Sequence, residues 1–124
     1  MSTGNSKVDA ELDSLQRETF RYFLHETNPQ NGLVRDKTPP DSPASIAATG
    51  LALAVYPVGV ERGLTSRAAA AQRVLATLRF FWNAPQGPMR DTTGHRGFFY
   101  HFLDVVTGRR VWRSELSTID TSIL

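Results

Sequence analysis

Hydrophobic positions along the chain fall into periodic segments separated by long stretches with no period. Residues 8–26 place Leu12, Leu15, Thr19 and the pair Tyr22/Phe23 at three- and four-residue intervals, which predicts an amphipathic helix. Asn28, Pro29, Asn31 and Gly32 break it. The stretch NPQNGLVRDKTPPDSP, residues 28–43, then runs without a period. Loops longer than about 12–15 residues usually carry function or are disordered. Ser42 and Pro43 fit the cap and first turn of a second helix, where proline's missing N–H is not needed. Its body, ASIAATGLALAVY, is apolar or small on nearly every side, which predicts burial all round. After PVGVERGL, Thr65 stands where an N-cap belongs for a third helix over about 66–83. Ala71, Val74, Leu75, Leu78, Phe81 and Trp82 form one face of that helix, and Trp82 reads as a packing residue.

A second long connection follows from Asn83 to Glu115. Within it, 97–103 and 109–113 read as two short strands joined by the turn DVVTG at 104–108. A fourth helix is expected near Ser117, where Ser117 and Asp120 have capping-box spacing. Successive antiparallel helices put alternate loops at opposite ends. Both long loops should therefore lie at one end, beside the N-termini of the second and fourth helices. That order predicts an all-α architecture of concentric helical hairpins, with a small β-hairpin in a loop at the site end.

Composition narrows the function. The chain has 124 residues, 40% hydrophobic and 21% charged, ordinary for one globular domain. The formal net charge is only +2, acidic over 1–27 and basic over 90–113. It lacks the dense basic face of a nucleic-acid partner. Absence of cysteine excludes disulfides and thiolate metal sites. The start, MSTGNSKVDAELDS, has no apolar segment of the secretory type, so a cytoplasmic location is expected. Residues 44–60 carry no charge, yet their Ala, Gly, Ser, Thr and Pro57 favour a buried core helix over a membrane span. No phosphate loop, histidine pair at metal spacing or serine nucleophile motif is present. Residues 1–10 are expected to be flexible and 11–124 to form the domain.

Four segments carry a family resemblance: SPASIAATGLALAVYPVGVERG, TLRFFWNAPQGP, GFFYHFLD and SELSTIDTSIL. From about residue 11 to 124 the chain resembles the bacterial glycoamylase-like proteins, which include endo-β-1,2-glucanases and a domain of cyclic β-1,2-glucan synthases. The resemblance implies an (α/α)6 barrel and acid–base hydrolysis of a glucan, β-1,2-glucan in particular, without metal or organic cofactor. Six helical hairpins need several hundred residues. The resemblance thus covers only the N-terminal part of such a domain, an incomplete barrel truncated at the C-terminus. Such a fragment is expected to be inactive alone, to expose Ile46, Leu51, Leu53 and Ile119, and to have the rest of the barrel as a partner. The alternative is a non-catalytic carbohydrate-binding or subunit-pairing module; a third is a helical scaffold with no carbohydrate link.

Glycoside hydrolysis usually needs two carboxyl groups. Glu115 and Asp120 are the candidates, at the loop-rich end and at the first turn of the fourth helix. Asp120 reads equally as a helix cap, and Glu115 has a salt bridge to Arg110 or Arg113 as its bland alternative. Tyr100 and Trp112 are candidates for stacking on a sugar, against hairpin packing. His101 is a candidate for binding a sugar hydroxyl, against a structural role. Asp104 is a further binding carboxylate, against simple turn formation. Arg35 and Asp36, in the first long loop, complete the set, against solvated loop charge.

Overall fold

The computed structural model describes residues 3–124. Four helices and five short strands follow one another in the described residues. The helices are α1 (Thr3–His25), α2 (Ile46–Glu61), α3 (Arg67–Asn83) and α4 (Thr118–Ile123). The strands are β1 (Ala44–Ser45), β2 (Gly94–His95), β3 (Phe98–Tyr100), β4 (Phe102–Leu103) and β5 (Leu116–Ser117).

Helix α1 begins well before residue 8. Of the stretch 1–10, residues 1 and 2 lie outside the described residues, and the rest forms the first turns of α1. No proline interrupts it, and extending a helix by a further turn costs little once it has formed.

Helix α2 starts later than expected. Its cap is Ser45, whose Oγ accepts from the Ala48 N–H at 3.4 Å. Ser42 does not cap it; its Oγ accepts from the Lys37 N–H at 3.1 Å and closes the first long loop. The reason is pairing: Ala44 and Ser45 stay extended as β1, opposite Leu103 and Phe102 of β4. Nor is α2 buried all round. Ile46, Thr49, Ala52 and Tyr56 are buried, whereas Leu51 and Val58 are about half exposed. Ile119 is 73% exposed. The expected open apolar face therefore holds at Leu51 and Ile119 and fails at Ile46, which is sealed beneath the strands. Leu53 is half-buried.

Helix α3 is capped by Ser66, whose Oγ accepts from the Ala69 N–H at 3.1 Å, not by Thr65. Its apolar stripe is wider than its contact with α2. Ala70 and Thr77 are buried and Val74 packs on the core around Phe20 and Tyr56, while Leu75 and Leu78 remain half exposed. Trp82 is 89% exposed and is not a packing residue.

The expected hairpin of 97–103 with 109–113 forms only at its inner end, where Leu103 and Arg110 make an antiparallel bridge flanked by hydrogen bonds from the Asp104 N–H to the Arg109 carbonyl (2.7 Å) and from the Val111 N–H to the Phe102 carbonyl (3.2 Å). β3 pairs antiparallel with β2 and β5, and β4 pairs with β1. The chain changes partners at His101. Its N–H donates to the Glu115 carbonyl at 2.8 Å, and its carbonyl accepts from the Ile46 N–H at 3.1 Å. This break shifts the alternation of faces, so Tyr100 and Leu103 share one core with Leu33, Ala44 and Ile46. The turn at 104–108 does form, closed by Gly108 N–H to the Asp104 carbonyl at 2.8 Å. Ser117 caps α4 as expected.

The two long loops meet at one end. Besides the β1–β4 pairing, the amides of Asn28 and Asn31 donate to the Val105 carbonyl at 2.9 and 3.0 Å. Helix α4 lies against α2 so closely that a Cβ on Gly50 would sit 2.9 Å from Ile123 Cγ2. A second cluster, Phe20, Val34, Ala52, Tyr56 and Ala70, joins α1, α2 and α3. Among the described residues, no helix is long and apolar enough to cross a membrane.

Two glycines separate backbone strain from steric exclusion. Gly32 (φ +75°) and Gly63 (φ +70°) are both left-handed, but a Cβ on Gly32 would lie 2.7 Å from the Thr77 backbone while one on Gly63 meets nothing. Gly63→Ala is expected to cost about 1 kcal/mol. Gly32→Ala is expected to cost roughly 2–3 kcal/mol more, from overpacking. Urea unfolding of the two variants measures the difference, and equal midpoints would refute the packing of the first loop on α3.

Candidate functional site

The interlocked loops bring three side chains together. Glu115 precedes β5, and its backbone is tied to His101. Its Oε1 lies 3.0 Å from His101 Nδ1. Asp120, in the first turn of α4, has Oδ2 3.4 Å from His101 Nε2. The cap of α4 is made by Ser117 Oγ accepting from the Asp120 N–H at 3.1 Å, which leaves the Asp120 carboxylate to face the imidazole. The carboxylates flank opposite ring nitrogens and cannot share one coordination point; among the described residues no group of three such ligands would hold a metal. Glu115 is 71% exposed at its side chain, and Asp120 only 18%.

The His101 ring stacks flat on Phe102, with centroids 4.1 Å apart and an interplanar angle of 7°. Phe102 meets Trp112 edge-on at 5.6 Å. Trp112 is 66% exposed and is held at φ +52°. The aromatic row leads from the carboxylates into a cleft of about 310 Å³, whose walls include Arg35, Asp41, Asp104, Val106, Val111 and Trp112. Arg35 is braced from within the first loop: Nη1 donates to the carbonyls of Pro40 (2.7 Å) and Ser42 (3.1 Å), and Nε lies 3.7 Å from Glu26. It is a rim support, not a freely solvated charge.

Electrostatics separates the carboxylates. The hydrogen bond from His101 is the main reason the Glu115 carboxyl sits below its ordinary range, followed by a backbone N–H and the nearby charges of His101 and Arg110. Glu115 thus has His101 as its partner; Arg110 instead donates from Nε to the Ser114 carbonyl at 2.7 Å and lies over the Tyr100 ring at 4.3 Å. Asp104 is also held low, chiefly by the Thr107 N–H at 2.7 Å and, against partial burial, by the Val106 N–H at 2.9 Å. It organises the turn, and its cleft position follows from that.

The expected residues therefore divide. His101, Glu115 and Asp120 converge; Trp112, Arg35 and Asp104 line the adjoining cleft. Tyr100 does not join them: it is 5% exposed, covered by Arg110, and its hydroxyl donates to the Gly87 carbonyl at 3.3 Å. A sugar has no face of Tyr100 on which to stack. Asp36 is held by its backbone N–H to the Pro43 carbonyl at 2.8 Å and takes no part in the cleft lining. Phe102 was missed as the link between the two groups, because strand alternation gives no sign of the break at His101.

Because its folded-state pKa lies below its unfolded one, Asp104 stabilises the fold above its ordinary value of 3.8. That contribution disappears as pH falls below this value. Asp104→Ala is expected to cost about 1 kcal/mol at neutral pH, a value reduced for its exposure to solvent. Urea midpoints of the variant and the native chain should converge in acid. A gap independent of pH would contradict the ionic turn.

No family model matches the chain. Over 101 residues, 81% of its length, it is 30% identical to an exo β-1,2-glucooligosaccharide sophorohydrolase (non-reducing end) of Parabacteroides distasonis, of which it spans 13%. A crystal structure of a β-1,2-glucanase from the same organism superposes with a TM-score of 0.75 at 28% identity, covering 91% of this chain and 16% of the other. A crystal structure of a glucoamylase-like protein from Bacteroides uniformis gives 0.74 at 27% identity, covering 93% and 28%. The chain therefore spans less than a third of the length of each relative. In sequence and in fold, nearly the whole chain resembles the glycoamylase-like proteins and β-1,2-glucanases.

Proposed function

We propose that this chain forms one section of a glucan-acting (α/α)6 barrel and carries part of its sugar-binding end, with β-1,2-linked glucose chains as ligand. The observation that carries the reading is the continuous row from Glu115 and Asp120 through His101 and Phe102 to the exposed face of Trp112. Sugars present flat apolar faces and a ring of hydroxyls, so an exposed indole beside hydrogen-bonding carboxylates suits them. The similarity to proteins named for β-1,2-glucan and β-1,2-glucooligosaccharide hydrolysis supports that linkage.

The chemistry is acid–base hydrolysis with Glu115 and Asp120 as the carboxyl pair. Glu115, kept ionised by its hydrogen bond to His101, suits the carboxylate that activates water or accepts a hydroxyl proton. The half-exposed Leu51, Leu75 and Leu78, with Ile119 and Trp82, support further hairpins packing around this section. A second reading, a sugar-binding module without turnover, is favoured by the openness of Glu115, which nothing encloses on its solvent side.

Both readings predict that the chain alone binds a β-1,2-linked glucose trimer weakly, with Kd on the order of millimolar, and releases no product. Trp112→Ala should weaken binding about 5-fold, equivalent to roughly 1 kcal/mol of stacking. Calorimetric titration and product analysis test this. Absence of saturable binding, or equal affinity in the variant, would remove the glucan assignment; product release by the chain alone would remove the need for further hairpins. Glu115→Gln placed in a complete barrel separates the two readings, since only the hydrolytic one requires turnover to collapse.

A further inference from the structure

The site's two carboxylates stand on either side of β5, which runs directly into α4 and caps it with Ser117. Glu115 stands on the segment before β5, Asp120 on α4. What they share is one imidazole. Its place is over-determined: His101 is pinned through its backbone to Glu115 and to Ile46 at the start of α2, and its ring lies flat on Phe102. We infer that His101 is the positioning residue of the site, holding Glu115 through Nδ1 and Asp120 through Nε2 and so fixing the separation and orientation of the pair. Its weight in catalysis rests on the glucan reading above; its geometry does not.

Proton count gives the clamp a direction. A neutral imidazole has one N–H and one lone pair. Two ionised carboxylates on its two nitrogens leave one of them facing a lone pair, so the arrangement closes only when the three groups share two protons. The shorter contact, 3.0 Å at Glu115 against 3.4 Å at Asp120, makes Glu115 the primary acceptor of the ring N–H. The depressed Glu115 carboxyl agrees. The charged groups on the ring are Glu115 and Asp120 of α4, and the charge of Arg110 acts on Glu115; α2 contributes the Ile46 N–H to the backbone. With Asp120 only 18% exposed, little solvent is available to replace the imidazole there.

His101→Phe tests the inference in this chain. Phenylalanine keeps a flat ring over Phe102 and removes both nitrogens. Carboxyl ¹³C NMR should show the Glu115 midpoint rising toward its ordinary 4.5 in the variant. An unchanged midpoint in a variant with intact amide spectra would overturn the clamp. Should that variant not fold, imidazole ¹⁵N shifts in two milder variants decide the matter. Glu115→Gln should move Nδ1 and Asp120→Asn should move Nε2. An Nε2 signal unmoved by Asp120→Asn would overturn the two-sided hold. None of these measurements uses a sugar, so failure of the clamp and failure of the glucan reading are read independently.

Discussion

At His101 the backbone passes from one sheet to another, donating to Glu115 and accepting from Ile46. Most of the site depends on that handover. A continuous strand from 97 to 103 would have placed His101 and Leu103 on the same face and paired both with one partner. Instead β3 remains with β2 and β5, while β4 turns to β1 in the other long loop. The two loops are thereby sewn together across a sequence separation that local propensity cannot bridge. The break also swings the imidazole toward Glu115 and Asp120 and leaves Tyr100 in the core.

The helices serve this arrangement from below. α2 begins where the sewn strands end, and α4 begins where β5 ends. Each is capped by the serine that closes its strand, Ser45 and Ser117. Their close approach at Gly50 and Ile123 fixes the distance between the two loop systems. On the far flanks, Leu51, Leu75, Leu78 and Ile119 remain open to solvent, so the packing that supports the site is one-sided.

Much of this was legible from residues alone, for identifiable reasons. Helix spacing, the turn at 104–108 and the cap at Ser117 are local signals, and they placed the elements and brought both long loops to one end. Glu115 and Asp120 were expected at that end, and both stand there beside His101. What stayed hidden is non-local. Nothing in the spacing of HFLD distinguishes an unbroken strand from one that changes sheet, so Tyr100 appeared as available as Trp112. The start of α2 slipped from Ser42 to Ser45 because β1 pairs with a strand found only in three dimensions. Trp82 looked like core because an apolar stripe records which residues avoid water, not which neighbour covers them.

The row from Glu115 to Trp112 is proposed as the place where this chain meets a glucan. Amide chemical-shift mapping with a β-1,2-linked glucose trimer tests it most directly. Saturable shifts are expected at residues 101–104, at Trp112, at Glu115 and around Asp120, with the α1–α2 surface near Leu12 and Leu51 unmoved. Shifts confined to that apolar surface, or none at all, would contradict it.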